Sequence, residues 1–210
     1  MHIPDGLLTT PTWATTAVVS AGYLGGAVRK LQHQAGERLV PYLGVMGAFI
    51  FAAQMLNFPV AGGTSGHLIG AALAAMLFGP WAASILVTVI LVIQALVFFD
   101  GGLTALGANI LNMAIVAPWT GYIVFKLLSR SRLGIFLASW LSVLAAALVA
   151  SLELAASGLA PLGVILAPML GWHFLIGLGE GLITTVAYHY LSATVPEIQQ
   201  GVSRVEEGGI

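Results

Sequence analysis

The chain has 210 residues, of which 59% are hydrophobic and only 7% charged, with a net charge of −1 and a mean hydropathy of +0.98. Soluble domains carry about 25% charged residues, so this composition excludes a water-soluble globular protein and a disordered chain, and the near-zero charge leaves no basic field for nucleic acid. Cysteine is absent, which removes disulfides, thiolate catalysis and sulfur-ligated zinc. The remaining class is an all-α, polytopic membrane protein: one embedded domain over 1–195 and a short polar tail over 196–210.

In chain order, apolar stretches long enough to cross a hydrocarbon core of roughly 30 Å fall at 8–28, 40–56, 81–99, 103–128, 133–156 and 164–191. The run from Leu68 to Gly79 is apolar but spans only about 18 Å as a helix, too little to cross alone. The residues before it, Asn57 to His67, read NFPVAGGTSGH, a poor helix rich in Gly and Pro. Irregular backbone at membrane depth is tolerated only when buried in protein or lining a cavity. The segment therefore predicts a re-entrant Gly-rich loop followed by a short helix, and about seven crossings in total.

Lys and Arg set the orientation. With seven crossings, Arg29, Lys30, Arg38, Lys126, Arg130, Arg132 and Arg204 all fall on one side, which is then cytoplasmic, together with the C-terminus. Met1, the 57–67 loop, the Asp100-Gly-Gly turn and the 157–163 loop share the outer side. The first apolar run lacks a preceding basic region and is followed by Arg29 and Lys30, so it is expected to be a permanent helix rather than a secretory signal.

Polar residues are few, so their positions carry weight. Of the histidines, His33 and His189 fall at the cytoplasmic side, while His2 and His67 fall outside. Met1-His2-Ile3-Pro4-Asp5-Gly6 offers an amine, a backbone amide nitrogen and an imidazole in succession. A metal held by the amine and amide nitrogens closes a five-membered ring, and Nδ1 of His2 adds a six-membered one. Ni²⁺ and Cu²⁺ favour such a tetragonal nitrogen set and can displace the amide proton. One corner stays open, and His67 is the natural donor for it. Asp5 is placed to support an imidazole N–H. Taken singly, a Met-His start is often accidental and a lone buried His is often a packing residue; their shared membrane face is what joins them.

Three blocks make the family recognisable: MHIPDG at 1–6, NFPVAGGTSGHLIGAALAAMLFGPWAA at 57–83 and QALVFFDGGLTALGANILNMA at 94–114. With them the chain resembles the substrate-capturing M component of nickel/cobalt energy-coupling-factor importers, the NikM/CbiM family. The resemblance implies metal held by the Met1 amine, the His2 amide and imidazole nitrogens, and the His67 imidazole. Gln94, Asp100, Asn109 and Asn112 fall at family motif positions. Asn57, Thr64, Ser65 and Gln94 are expected near the site, either supporting its ligands or satisfying the backbone of the loop. The MHIPDG start resembles nickel members; cobalt members more often show MHIMEGFLP after a cleavable signal. The implied partners are a transmembrane coupling subunit, cytoplasmic ATPase subunits and an additional small membrane subunit, in the cell membrane of a prokaryote. The ion is cargo, and no cofactor is expected.

Glu180 and His173, seven residues apart in the last span, can serve as ligands or simply as hydrogen-bonding groups between helices. Ala17, Ala21 and Gly25, and Gly44, Ala48 and Ala52, form small-residue stripes suited to close helix contacts. No G-x-x-x-x-G-K-[ST] motif is present, so ATP chemistry must come from partners. Two rival functions remain open. Gly63-Thr64-Ser65-Gly66 matches the GxSG of intramembrane serine proteases, though nothing then explains the Met-His start. A stand-alone secondary transporter would need more midplane carboxylates or histidines than Glu180 and His173. An ATP-driven Ni²⁺ importer component, with Co²⁺ for cobalamin synthesis as the alternative cargo, is the expected function.

Overall fold

The computed structural model describes residues 1–34, 39–56, 58–60, 64–128 and 131–195. The helices, in chain order, are α1 (Thr10–Gln34), α2 (Leu39–Gln54), α3 (Ala71–Phe78), α4 (Pro80–Phe98), α5 (Leu106–Leu127), α6 (Arg132–Ala156) and α7 (Leu162–Thr194). Where a loop was expected between α2 and α3, a short antiparallel hairpin pairs β1 (Phe58–Val60) with β2 (Thr64–Gly66).

Local chemistry sets the boundaries. Gly70 at φ 72° and Gly79 at φ 80° bracket α3 in conformations that disfavour any side chain. Pro80 then opens α4 at the position where its missing N–H costs nothing. Ser131 caps α6 by accepting from the Gly134 N–H at 3.0 Å. Two stretches, Gln94–Phe98 in α4 and Ile110–Val116 in α5, widen into π-type turns. Such bulges interrupt the regular ladder and frequently mark functional positions.

Short α3 is the hub. Every one of its residues is buried, and it packs against α4, α5, α6 and α7. Gly121 of α5 allows the closest approach: a Cβ there would lie 2.8 Å from the Ala72 Cβ. Gly107 does the same against α1, where the Ala17 backbone sits 2.4 Å from a Cβ position, and Ser20 of α1 hydrogen-bonds the Gly107 carbonyl at 2.8 Å. Ala17 thus packs internally, whereas Gly44, Ala48 and Ala52 of α2 point outward.

Among the described residues, α4, α5, α6 and α7 are long and apolar enough to cross a membrane. α2 is apolar but only 16 residues long. α1 has 25 residues, but its threonines and its basic last turns dilute its hydropathy. The helices fall within a few residues of the expected apolar stretches, with α1 extending beyond residue 28. Large apolar side chains such as Val45, Leu175 and Val186 stand exposed on outer helix faces, an arrangement that suits lipid rather than water. The expected tail over 196–210 lies outside the described residues.

The α6–α7 seam generates a stability prediction. A Cβ on Gly181 would sit 2.8 Å from the Phe136 ring and 3.1 Å from its carbonyl, whereas Gly179 has nothing within 4 Å. Gly181→Ala should destabilise the detergent-solubilised protein by about 1–3 kcal/mol, seen as a lower Tm. Gly179→Ala should be neutral or slightly stabilising, because only its helix propensity changes.

Candidate metal-binding site

The first residues run as extended chain into the helix bundle. Met1, His2 and Ile3 are all buried. Asn109 of α5 grips Ile3 at both ends of its backbone: the Ile3 N–H donates to Asn109 Oδ1 at 2.8 Å and Asn109 Nδ2 donates to the Ile3 carbonyl at 3.1 Å. The Gly102 N–H donates to the same carbonyl at 3.0 Å. Gly102 must be glycine for this approach, since a Cβ would fall 2.4 Å from the Asp5 nitrogen. The Asp5 carboxylate accepts from the Leu103 and Thr104 amides and the Thr104 hydroxyl. Those bonds, the hydroxyl first, hold the Asp5 pKa below its ordinary value. The Met1 side chain packs with Ile69, Val87, Leu91 and Met113.

This docking brings His2 against His67, which follows β2. Their rings stack at 4.6 Å between centroids and 26° between planes. The proton positions follow from a relay of amides. A carbonyl can only accept, so Gln54 Nε2 donates to the Ile69 carbonyl at 2.6 Å. Gln54 Oε1 then accepts from Gln94 Nε2 at 2.9 Å. Gln94 Oε1 is left to accept, and His2 Nε2 donates to it at 3.2 Å. His2 therefore carries its proton on Nε2 and a lone pair on Nδ1, an atom without a hydrogen-bond partner. At His67, Nδ1 donates to the Leu68 carbonyl at 2.7 Å. Its buried lone pair lies on Nε2, also without a hydrogen-bond partner.

Burial keeps these nitrogens neutral. It pulls the Met1 amine down to about 4, against the opposing pull of Asp100. It pulls His2 down to about 3, with the nearby amine adding to the effect and the Gln94 hydrogen bond opposing it. His67 is lowered well below its ordinary value by burial, then by the charges of the amine and His2. An amine and two imidazoles thus gather as uncharged donors at neutral pH.

The loop carrying His67 is fastened from α7. Glu180 accepts from the Ile69 N–H at 2.7 Å and from the Gly70 N–H at 2.8 Å. His173, two turns earlier on α7, donates from Nδ1 to the Met169 carbonyl at 2.7 Å and keeps Nε2 without a hydrogen-bond partner. Among the described residues no three His, Cys, Asp or Glu side chains gather as a ligand set.

Met1, His2, His67 and Gln94 therefore come together. Asp5, expected beside an imidazole, instead binds the 103–104 turn, and the carboxylate 3.3 Å from His2 Nδ1 is that of Asp100. Asn57 lies outside the described residues; Thr64 and Ser65 are in β2, shortly before His67, and their side chains are not described. Gln54 escaped the sequence reading, although a lone amide in an apolar helix is itself a signal. Asn109 was visible as a motif position without a role.

The family model for the cobalt uptake substrate-specific transmembrane region, CbiM, matches residues 2–198. A protein of Archaeoglobus fulgidus provisionally named a fused nickel transport protein, NikMN, is 42% identical over 202 residues, covering 94% of this chain and 68% of that one. The cobalt transport protein CbiM of Kyrpidia tusciae is 34% identical, covering 100% of this chain and 90% of that one. The crystal structure of a truncated transition metal transporter superposes with a TM-score of 0.88 at 36% identity, over 92% of this chain and 99% of that one.

Asn109→Ala tests the docking. It leaves the buried Ile3 N–H without its partner, at a cost of about 1–3 kcal/mol. Amide exchange at Ile3 should accelerate while that of α6 stays unchanged.

Proposed function

From the premise that the chain belongs to the CbiM family of cobalt uptake substrate-specific transmembrane regions, we propose that it is the capture subunit of an energy-coupling-factor importer and takes Ni²⁺ as its cargo. It is a metal transport protein and not an enzyme, which sets the protease reading of 63–66 aside. The carrying observation is the pair of stacked imidazoles whose proton positions leave Nδ1 of His2 and Nε2 of His67 unprotonated beside a neutral, buried amine.

The proposed ligands are the Met1 amine, the His2 amide nitrogen and Nδ1, and His67 Nε2. Metal binding displaces the His2 amide proton to solvent, leaving an anionic nitrogen on the ion. Four nitrogens with two fused chelate rings suit the tetragonal preference of Ni²⁺, and nitrogen sites bind Ni²⁺ above Co²⁺. Gln94 fixes the His2 ring, and Gln54 fixes Gln94. The cobalt naming of the family and of the Kyrpidia tusciae protein supports Co²⁺ as the second reading.

In this reading the chain crosses the cell membrane seven times. The re-entrant 57–67 loop and Met1 face outward, and the basic loops and C-terminus face the cytoplasm. Capture occurs outside, and release inside follows when the coupling subunit, the ATPase subunits and a small membrane subunit act on the loaded protein. The chain spans about two thirds of the Archaeoglobus fulgidus relative, so partners and activity of the whole transporter belong to the proposal.

His67→Ala should lower nickel affinity at least a hundredfold and His33→Ala should leave it unchanged, measured by equilibrium dialysis of purified protein; equal affinity in both variants rejects the site. A residue added before Met1 should abolish capture, because it moves the amine out of chelating position. Since the amine and imidazoles are already neutral at pH 7, binding should release about one proton, that of the amide. Affinity should then fall about tenfold per pH unit as acid is added. Calorimetry in buffers of different ionisation enthalpy counts that proton, and a count of zero would falsify amide ligation. Competition of Ni²⁺ with Co²⁺ decides between the two cargoes.

A further inference from the structure

We infer that Asp100 is the counter-ion of the metal site: it draws the divalent cation to His2 Nδ1 and neutralises the filled cage. The inference rests on the proposed nitrogen site and adds to it a group of a different kind.

Geometry comes first. Asp100 Oδ1 lies 3.3 Å from His2 Nδ1, and the Asp100 side chain is 21% exposed where that of His2 is 3% exposed. The carboxylate therefore reaches from the surface to the buried imidazole. The amide relay puts the His2 proton on Nε2, so Nδ1 carries a lone pair 3.3 Å from a carboxylate oxygen. Two acceptors at that distance with no hydrogen between them repel. A cation held by Nδ1 turns the repulsion into attraction on both sides.

Charge comes second. A divalent ion on an ionised amide nitrogen retains one positive charge, and an uncompensated buried charge is strongly unfavourable. One carboxylate brings the sum to zero. Of the described acids near this end of the bundle, Asp5 bonds the 103–104 turn, Glu180 the Ile69 and Gly70 amides and Glu153 the Asn112 Nδ2 at 2.7 Å, while Asp100 is the one 3.3 Å from His2 Nδ1. Asp100 is also the acid whose field the Met1 amine feels.

The backbone around Asp100 is shaped for this placement. Phe99 adopts φ 55°, a left-handed conformation that strains a non-glycine residue, and its ring is 87% exposed. The reversal throws Phe99 outward and Asp100 inward. Gly101, at φ 95°, lets the turn close on His2, where a Cβ would lie 3.1 Å from the imidazole Cδ2. The Asp100 N–H donates to the Gln94 carbonyl at 3.0 Å. Gln94, near the end of α4, thus holds Nε2 of the His2 ring, and the turn that follows sets Asp100 beside Nδ1.

The experiment uses the full chain in lipid nanodiscs, nickel chloride as probe, and stopped-flow absorbance of the nickel–nitrogen band. Asp100→Asn should slow association about tenfold or more and remove its dependence on ionic strength. The position of the band at saturation should stay unchanged, because the four nitrogens remain. Asp100→Glu should restore both the rate and the salt dependence. Unaltered association and salt dependence in Asp100→Asn overturns the inference, and so does an Asp100→Glu variant as slow as Asp100→Asn, since the side chain then acts by shape. His67→Ala separates the two levels: if it binds nickel normally, the nitrogen site itself is wrong; if it loses the band while Asp100→Asn behaves as the parent protein, only the counter-ion role is lost.

Discussion

The direction of one hydrogen bond orders the whole site. Because the Ile69 carbonyl has no proton to give, Gln54 must present its amide nitrogen there, and every later partner follows suit up to His2 Nε2. Without that fixed end, either amide could rotate by half a turn and the imidazole could carry its proton on either nitrogen. The relay links four separate pieces of chain: the start, the end of α2, the end of α4 and the loop after β2. It converts a backbone position near His67 into a proton position on His2, so the two imidazoles are prepared together.

The same loop is bound from a fourth direction. Glu180 takes both the Ile69 and Gly70 amides, just where Gly70 adopts a positive φ and α3 begins. Two neighbouring N–H groups converging on one carboxylate make a strong, charge-assisted clamp. Ile69 is thus held through its N–H by α7 and through its carbonyl by α2. The residue itself is apolar and has no chemistry to offer, yet its peptide group is the fixed reference from which His67 is placed.

Much of this was legible in the sequence, for identifiable reasons. Long apolar runs have few alternatives in a chain so poor in charge, so α4 to α7 could be located to within a few residues. The Met-His start and His67 stood out because imidazoles are scarce here. Asp5 was assigned to the wrong neighbour: proximity in sequence suggested an imidazole, but Gly101 and Gly102 let the 99–104 turn come close enough to take the carboxylate. Gln54 is conspicuous as a lone amide in an apolar helix, but its role depends on a partner 40 positions away, and no local pattern encodes that pairing. The pairing of 58–60 with 64–66 was hidden by Gly and Pro, which argue against a helix but do not announce strands.

The grip of Asn109 on Ile3 joins residues 106 positions apart, and that of Glu180 on Ile69 joins residues 111 positions apart. Translation therefore makes the two imidazoles early and their anchors late. Until α5 emerges, the opening segment lacks the grip of Asn109; until α7 is inserted, the loop behind His67 lacks that of Glu180. A ribosome-bound chain passes through most of its synthesis with the opening amine and both imidazoles already made and these two anchors still to come.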